Sequence, residues 1–99
     1  MAKYDVYRLR SGTGLVVDVQ AELIDHLTTR IVVPLMSKTS APKPAQRLNP
    51  VFTIDGQPYV MVAQFLSAVS LGELGKPIAN LEFEFATITS ALDMVFQGY

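Results

Sequence analysis

The segment PVFTIDGQPYVMVA, residues 50–63, predicts a β-hairpin and with it a fold built on antiparallel strands. At its centre stands Asp55-Gly56, a pair that accepts the left-handed backbone of a type I′ turn. Apolar and β-branched side chains in residues 50–54 and 57–63 flank this pair, as they do in the two strands of a hairpin. We expect the rest of the chain to add strands to this unit.

A second hairpin is predicted at the beginning of the chain. Residues 3–10 mix polar and apolar side chains as a strand does, and residues 11–14 form a glycine-containing turn. In the next strand Leu15, Val17 and Val19 alternate with their neighbours, which indicates one buried face.

Residues 30–36 predict a further strand, with Ile31, Val33 and Leu35 on one side. Pro34 has no N–H to donate within a sheet, so we expect it at an edge or a bulge. Residues 37–50 carry three prolines and predict a long exposed loop. Residues 68–71 predict a minor strand, whereas residues 21–29 fit either a short helical turn or an apolar loop.

The last part of the chain predicts an amphipathic helix that begins at an Asn80 cap. Its apolar side chains follow one another at steps of three and four: Leu81, Phe85, Ile88, Leu92 and Val95. Strands followed by one helix indicate a small antiparallel barrel or curled sheet with the helix packed on it. Residues 96–99 would then either project towards a partner or complete the core.

Composition narrows the function classes. The 99 residues, of which 49% are hydrophobic and 17% charged, suit one compact domain spanning 1–99. A net charge of −1 argues against nucleic-acid binding by this protein alone. With 0 cysteines the chain has no disulfides and no thiolate metal site. We expect a soluble, cytoplasmic protein without a cofactor.

Two groups of side chains suggest chemistry. His26 lies between Asp25 and Arg30 and could serve as an acid–base group for RNA cleavage, although an ordinary exposed histidine explains it better. Basic residues occur in the first turn and in the long loop, and these two regions could form a rim that holds an acidic peptide. The alternative is scattered, solvated charge. The residues are Lys3, Arg8, Arg10, Lys38, Lys43 and Arg47.

Four segments resemble the CcdB family of bacterial toxins, in order along nearly the whole chain. They are Val17–Gln20, Arg30–Leu35, Leu48–Val51 and Ala91–Tyr99. The resemblance implies a mainly β fold, a Src-homology-3-like small antiparallel barrel with a C-terminal helix, shared with the MazF endoribonucleases. It also implies a symmetric homodimer.

The resemblance further implies a function without catalysis by the toxin itself. CcdB proteins are not enzymes; they bind the A subunit of DNA gyrase, a topoisomerase, and trap it on cleaved DNA. A CcdA-like antitoxin with a disordered C-terminal segment neutralises them. Toxin and antitoxin together bind operator DNA and repress their own transcription, so we expect contact with DNA only in that complex.

Positions that match the family's site residues are carried over one by one. The gyrase contacts fall on Leu23, Ile24, Asp25, Asp93, Phe96, Gln97, Gly98 and Tyr99. The antitoxin surface is expected near the turn at residues 8–14 and the loop at residues 38–47, where it coincides with the basic rim. Its residues are Arg8, Arg10, Lys43 and Arg47.

One position departs from the family pattern. The family ends in tryptophan, glycine and isoleucine, whereas here Gln97 takes the tryptophan's place and the chain has 0 tryptophans. Loss of a central aromatic anchor costs about 2–4 kcal/mol of binding energy. The protein is therefore expected to poison gyrase weakly or in another way, or to be a scaffold that has lost toxicity. A MazF-like endoribonuclease using His26, Asp25 and Arg30 is the alternative of a different class.

Overall fold

A computed structural model describes residues 2–12, 14–21 and 27–98 of the chain. Its elements are β1 (Asp5–Arg8), β2 (Leu15–Asp18), β3 (Thr29–Ser37), β4 (Val51–Ile54), β5 (Gln57–Met61), β6 (Ser67–Ser70), β7 (Ala79–Asn80) and α1 (Phe85–Gln97). The antiparallel strands form a curled sheet in the order β4-β5-β3-β2-β1-β7, and β6 pairs with β3. The predicted fold is confirmed: a mainly β, nearly closed small barrel with a C-terminal helix.

The β4–β5 hairpin turns where the sequence predicts it. Asp55 and Gly56 have φ values of 52° and 76°, both in the left-handed region that a type I′ turn requires. The register pairs Ile54 with Gln57 and Val51 with Val60. The hairpin therefore sets the position of β5, which carries the sheet on to β3.

Strand β2 is buried on both faces, so the prediction of a single buried face is wrong. Leu15 and Val17 join the main core, which α1 covers with Ile88. Val16 faces the other way, into a smaller cluster that includes Tyr7. Strands buried on both faces lose the alternation of apolar and polar residues on which the prediction rested.

Pro34 lies inside the sheet, and the prediction of an edge or bulge is wrong. On one side β3 pairs with β2. On the other side residues 35–37 pair with β5 and residues 29–32 pair with β6. Pro34 lies between these two pairings, where no hydrogen bond from its backbone nitrogen is required. Its carbonyl accepts one from the N–H of Val62 at 3.0 Å. The change of partner strand therefore makes room for a residue without an N–H.

The helix α1 begins later than predicted. The Asn80 side chain accepts a hydrogen bond at 2.7 Å from the N–H of Glu82, the first residue of the 3₁₀ turn Glu82–Glu84 that precedes α1. Asn80 is therefore not the cap of α1, and the N-cap position of the 3₁₀ turn is Leu81. Ile88 is fully buried against the sheet, whereas Phe85 is 57% exposed and does not belong to the buried face as predicted. The core-facing stripe therefore starts one helical turn after the first residue of α1.

The loop between β3 and β4 is mostly exposed, as predicted, and one buried side chain fixes it. Asn49 accepts a hydrogen bond from the N–H of Ala45 at 3.0 Å and donates to the Met61 carbonyl at 3.2 Å. It also donates to the Gln64 side chain at 2.8 Å. Within the described ranges, no helix is long and apolar enough to cross a membrane.

Candidate functional site

The described part of the predicted gyrase site lies at the end of α1. Asp93 is half-buried, Gln97 is exposed and Phe96 has 67% of its surface exposed. Gly98 ends the helix: its φ is 80° and its N–H donates to the Met94 carbonyl at 3.0 Å. Glycine adopts this left-handed conformation without a steric cost. Phe96 and Gln97 thus form an exposed surface on a helical turn that the cap holds in place.

The other half of the predicted gyrase site lies outside the described residues. This applies to Leu23, Ile24, Asp25 and Tyr99. His26, the acid–base candidate of the ribonuclease alternative, also lies outside the described residues. Their positions relative to the end of α1 therefore remain a prediction.

A buried polar network joins β2 and β3. The Asp18 carboxylate accepts hydrogen bonds from Nε and Nη2 of Arg30 at 2.8 and 2.5 Å, and both side chains are fully buried. Asp18 also accepts from the N–H of Gln20 at 2.9 Å, while Gln20 Oε1 accepts from the N–H of Ile31 at 3.1 Å. Among the described residues, Nη1 of Arg30 has no hydrogen-bond partner.

Burial raises the pKa of two acidic groups, Asp18 in the network and Tyr7 on the neighbouring strand β1. Burial raises the pKa of Asp18, and this effect exceeds the opposing effects of the Gln20 and Arg30 hydrogen bonds. Burial, followed by the negative charge of Asp5, raises the pKa of Tyr7 to about 12. Sequence reasoning missed the network, although a charged residue in the buried strand β2 was a signal that Asp18 needs a partner.

Arg30 is therefore a structural cation rather than an exposed catalytic group. The alternative built on His26, Asp25 and Arg30 loses its arginine, because a guanidinium that is fully buried and held by Asp18 cannot reach a solvent-borne substrate.

All four predicted antitoxin-binding side chains are exposed. Nε of Arg47 donates to Ser90 Oγ on α1 at 2.6 Å. The Arg10 guanidinium lies against Gly75, in the loop before β7. Arg8 stands opposite Leu15 in the β1–β2 ladder, and Lys43 lies in the loop before β4. The four side chains thus lie against different elements, and these contacts do not bring them together into one cluster.

An open pocket of about 290 Å³ lies where the β1–β2 turn approaches the loop after β3. Its lining combines apolar side chains with hydroxyl groups and one glycine. The lining residues are Gly14, Leu15, Leu35, Met36, Ser37, Ser40 and Tyr59. Sequence reasoning predicted a peptide-binding rim on the two regions that border this pocket, but not the pocket itself. The run Ser37–Ser40, four residues with three hydroxyls directly after a strand, was the available signal.

Metal-ligating side chains do not cluster in the ranges that the structure describes: no group of three or more His, Cys, Asp or Glu residues could hold an ion there.

Comparison with known proteins identifies the family of this chain and solved structures with a similar fold. The family model for CcdB protein matches residues 3–98. An endoribonuclease in complex with its cognate antitoxin, from Mycobacterial species, has a similar structure: TM-score 0.79 at 17% identity, covering 97% of this chain and 94% of that one. The Mycobacterium tuberculosis toxin MazF-mt6 gives 0.76 at 16% identity, covering 93% and 95%.

These structures correct one expectation. The resemblance to CcdB predicted a protein that is not an enzyme, but the similar structures include endoribonucleases over nearly their whole length. The fold is thus one on which RNA-cleaving enzymes are built, and the exclusion of enzymatic activity is withdrawn.

Proposed function

The chain belongs to the CcdB family, and from this premise we propose that it is the toxin of a toxin–antitoxin system that binds the A subunit of DNA gyrase. The observation that carries the proposal is the exposure of Phe96 and Gln97 at the capped end of α1. An aromatic side chain held on a rigid helical turn loses little conformational freedom on binding. This surface is therefore suited to a protein partner.

The remaining target contacts are proposed for Leu23, Ile24, Asp25 and Tyr99. We further propose a homodimer, in which two copies of this surface would present themselves to a two-fold symmetric target. The protein would be one domain that acts in the cytoplasm.

The proposed neutralising partner is an antitoxin with an acidic segment. Arg8, Arg10, Lys43 and Arg47 are exposed cations, and exposed cations favour an acidic partner. One structure with this fold is of an endoribonuclease bound to its cognate antitoxin, which supports the same type of partner here. Operator DNA would be bound by the two proteins together.

Gln97 tests the identity of the target surface. Replacing Gln97 by Trp adds a large ring at an exposed position next to Phe96, where the helix can accommodate it without repacking. We expect gyrase binding to strengthen by about tenfold or more. Supercoiling inhibition and the yield of gyrase-cleaved DNA would measure this. A Gln97→Trp variant no stronger than the parent protein would contradict the assignment of position 97 to the gyrase contact.

Endoribonuclease activity is the second candidate, because structures with this fold include endoribonucleases. Arg30 is buried and cannot contact RNA, so the site of this activity would have to lie elsewhere. We place it in the open pocket that Tyr59 lines. Incubation of purified protein with RNA separates the two candidates: cleavage that Tyr59→Phe or Ser40→Ala abolishes would favour this one. Intact RNA together with gyrase inhibition would favour the first.

A further inference from the structure

The strand β4 stands at one end of the sheet and has an open edge. It is the first strand in the sheet order, and among the described strands it pairs only with β5. Its sequence is Val-Phe-Thr-Ile, in which Phe52 and Ile54 are buried in the core while Val51 and Thr53 are exposed. The described structure therefore leaves one side of β4 accessible to another strand.

The hydrogen bonds of the β4–β5 hairpin show which way the backbone of β4 points. The Met61 N–H donates to the Pro50 carbonyl at 2.8 Å, so these two residues are a hydrogen-bonded pair. Hydrogen-bonded and non-hydrogen-bonded pairs alternate along an antiparallel ladder, which makes Val51 and Thr53 non-hydrogen-bonded towards β5. Opposite Thr53 stands Pro58, whose missing N–H suits such a pair. The N–H and C=O groups of Val51 and Thr53 therefore point away from β5, towards the open edge.

These outward backbone groups are not used within the described part of the chain. Among the described residues no hydrogen bond involves the N–H or the C=O of Val51 or Thr53. Natural edge strands usually carry charged side chains, a proline or a bulge, which discourage pairing with another chain. β4 has no charged residue and no proline, and its register with β5 contains no bulge. The edge is therefore a template for a further strand.

We propose that β4 pairs antiparallel with β4 of a second copy of this chain, so that Val51 lies opposite Thr53 of that copy. In a hydrogen-bonded antiparallel pair the two residues exchange both of their backbone hydrogen bonds. A two-fold axis between the two Phe52 residues generates this pair twice and satisfies every outward group of both copies. The exposed side chains of Val51 and Thr53 then meet across the strands, where β-branched residues pack well. The inference rests on the proposed homodimer and names a backbone contact between its copies.

A second copy fits this edge better than an unrelated extended segment does. The alternation of hydrogen bonds in β4 fixes a register that is complementary to itself. A segment from another protein would bring a new open edge, whereas two copies close each other's edges. With a net charge of −1, the copies also repel each other little.

Position 53 allows the contact to be removed without disturbing the hairpin. Because the Thr53 N–H makes no hydrogen bond to β5, Thr53→Pro removes only an outward donor, and the proline ring obstructs a neighbouring strand. Thr53→Lys keeps the N–H but brings two positive charges close together across the two-fold axis. Thr53→Val keeps both the N–H and the branched shape and is the matched control.

Sedimentation equilibrium of the parent protein and the variants measures their association, and circular dichroism shows whether each variant is folded. We expect Thr53→Pro and Thr53→Lys to weaken the association about tenfold or more, and Thr53→Val to stay within about twofold of the parent. If Thr53→Pro does not fold, Thr53→Lys decides. NMR amide exchange is the second readout: the Val51 and Thr53 amides of the parent should exchange about tenfold or more slowly at high than at low protein concentration, because pairing protects them.

The outcomes separate this contact from the homodimer itself. A parent dimer whose Val51 and Thr53 amides exchange equally fast at all concentrations would overturn the contact and leave the homodimer standing. The same conclusion would follow if folded Thr53→Pro and Thr53→Lys associated as tightly as the parent. A parent protein that stays monomeric at every concentration would overturn both the contact and the proposed homodimer.

Discussion

Asp18 and Arg30 are charged residues on neighbouring strands whose side chains have no contact with solvent. Each charge has lost its hydration, and the other member of the pair compensates part of that loss. Replacing one partner leaves the other buried and uncompensated. Replacing both with apolar residues of similar size removes the problem, because neither desolvated charge remains.

We therefore expect Asp18→Leu alone to lower the free energy of unfolding by about 3–5 kcal/mol. The double variant Asp18→Leu, Arg30→Met should recover most of this loss. Urea unfolding followed by circular dichroism measures both. A double variant as unstable as the single one would show that Asp18 acts through its hydrogen bond to Gln20 and not through its charge.

The raised pKa of Tyr7 leads to a prediction about the stability of the protein at alkaline pH. Burial raises its pKa from 10.0 to about 12, so the folded state holds the phenol proton more tightly than the unfolded state. The stability that this difference contributes is fully present below about pH 10 and is lost as the pH rises towards 12. Tyr7→Phe, which cannot ionise, should abolish that loss.

The measurement is thermal unfolding of parent and variant across this alkaline range, together with phenolate absorbance. The chain has 4 tyrosines. We expect Tyr7→Phe to remove an absorbance step near pH 12. If the variant and the parent lost stability in parallel above pH 10, Tyr7 would not be the group responsible.

At the scale of elements, α1 attaches to the barrel through a short apolar stripe. Ile88 and Ala91 are fully buried in the main core, and Leu92 and Val95 are partly buried beside it. Phe85, on the first turn of α1, is 57% exposed. The helix is thus held by its middle and later turns, which are also the turns that lead to Phe96.

Ile88→Ala should lower the free energy of unfolding by about 2–5 kcal/mol, because it removes buried methyl groups and leaves a cavity in the core. Phe85→Ala is the matched control on the same helix and should change the stability by no more than about 0.5 kcal/mol. Denaturant unfolding of both variants measures the difference. Equal losses would contradict the assignment of the buried face.

Sequence patterns predicted the structure correctly where neighbouring residues alone determine the local conformation. Asp55-Gly56 determines its own turn, and no tertiary contact opposes it. The patterns failed where tertiary structure decides. Pro34 is accommodated by a change of partner strand that no local signal records, and β2 is buried on both sides although its sequence predicts one buried face.

At the scale of the whole molecule, the barrel presents two surfaces with different properties. One is the end of α1, where the exposed ring of Phe96 stands on a capped helix. The other is the pocket bordered by the β1–β2 turn, which apolar side chains and hydroxyl groups line. The first could be anticipated from the family resemblance. For the second, the sequence predicted a rim on the first turn and the long loop but not the pocket, which Gly14 and Ser40 line together although they are far apart in sequence.

The central claim is that the end of α1 binds the A subunit of gyrase. Phe96 and Phe83 provide a matched pair, because both are exposed, at 67% and 98%, but only Phe96 lies at that end. Calorimetric titration of the gyrase A subunit with the parent protein, Phe96→Ala and Phe83→Ala tests the claim. We predict that Phe96→Ala weakens binding by about tenfold or more and that Phe83→Ala stays within about twofold of the parent. Absence of binding by the parent protein, or equal affinities for both variants, would contradict the claim.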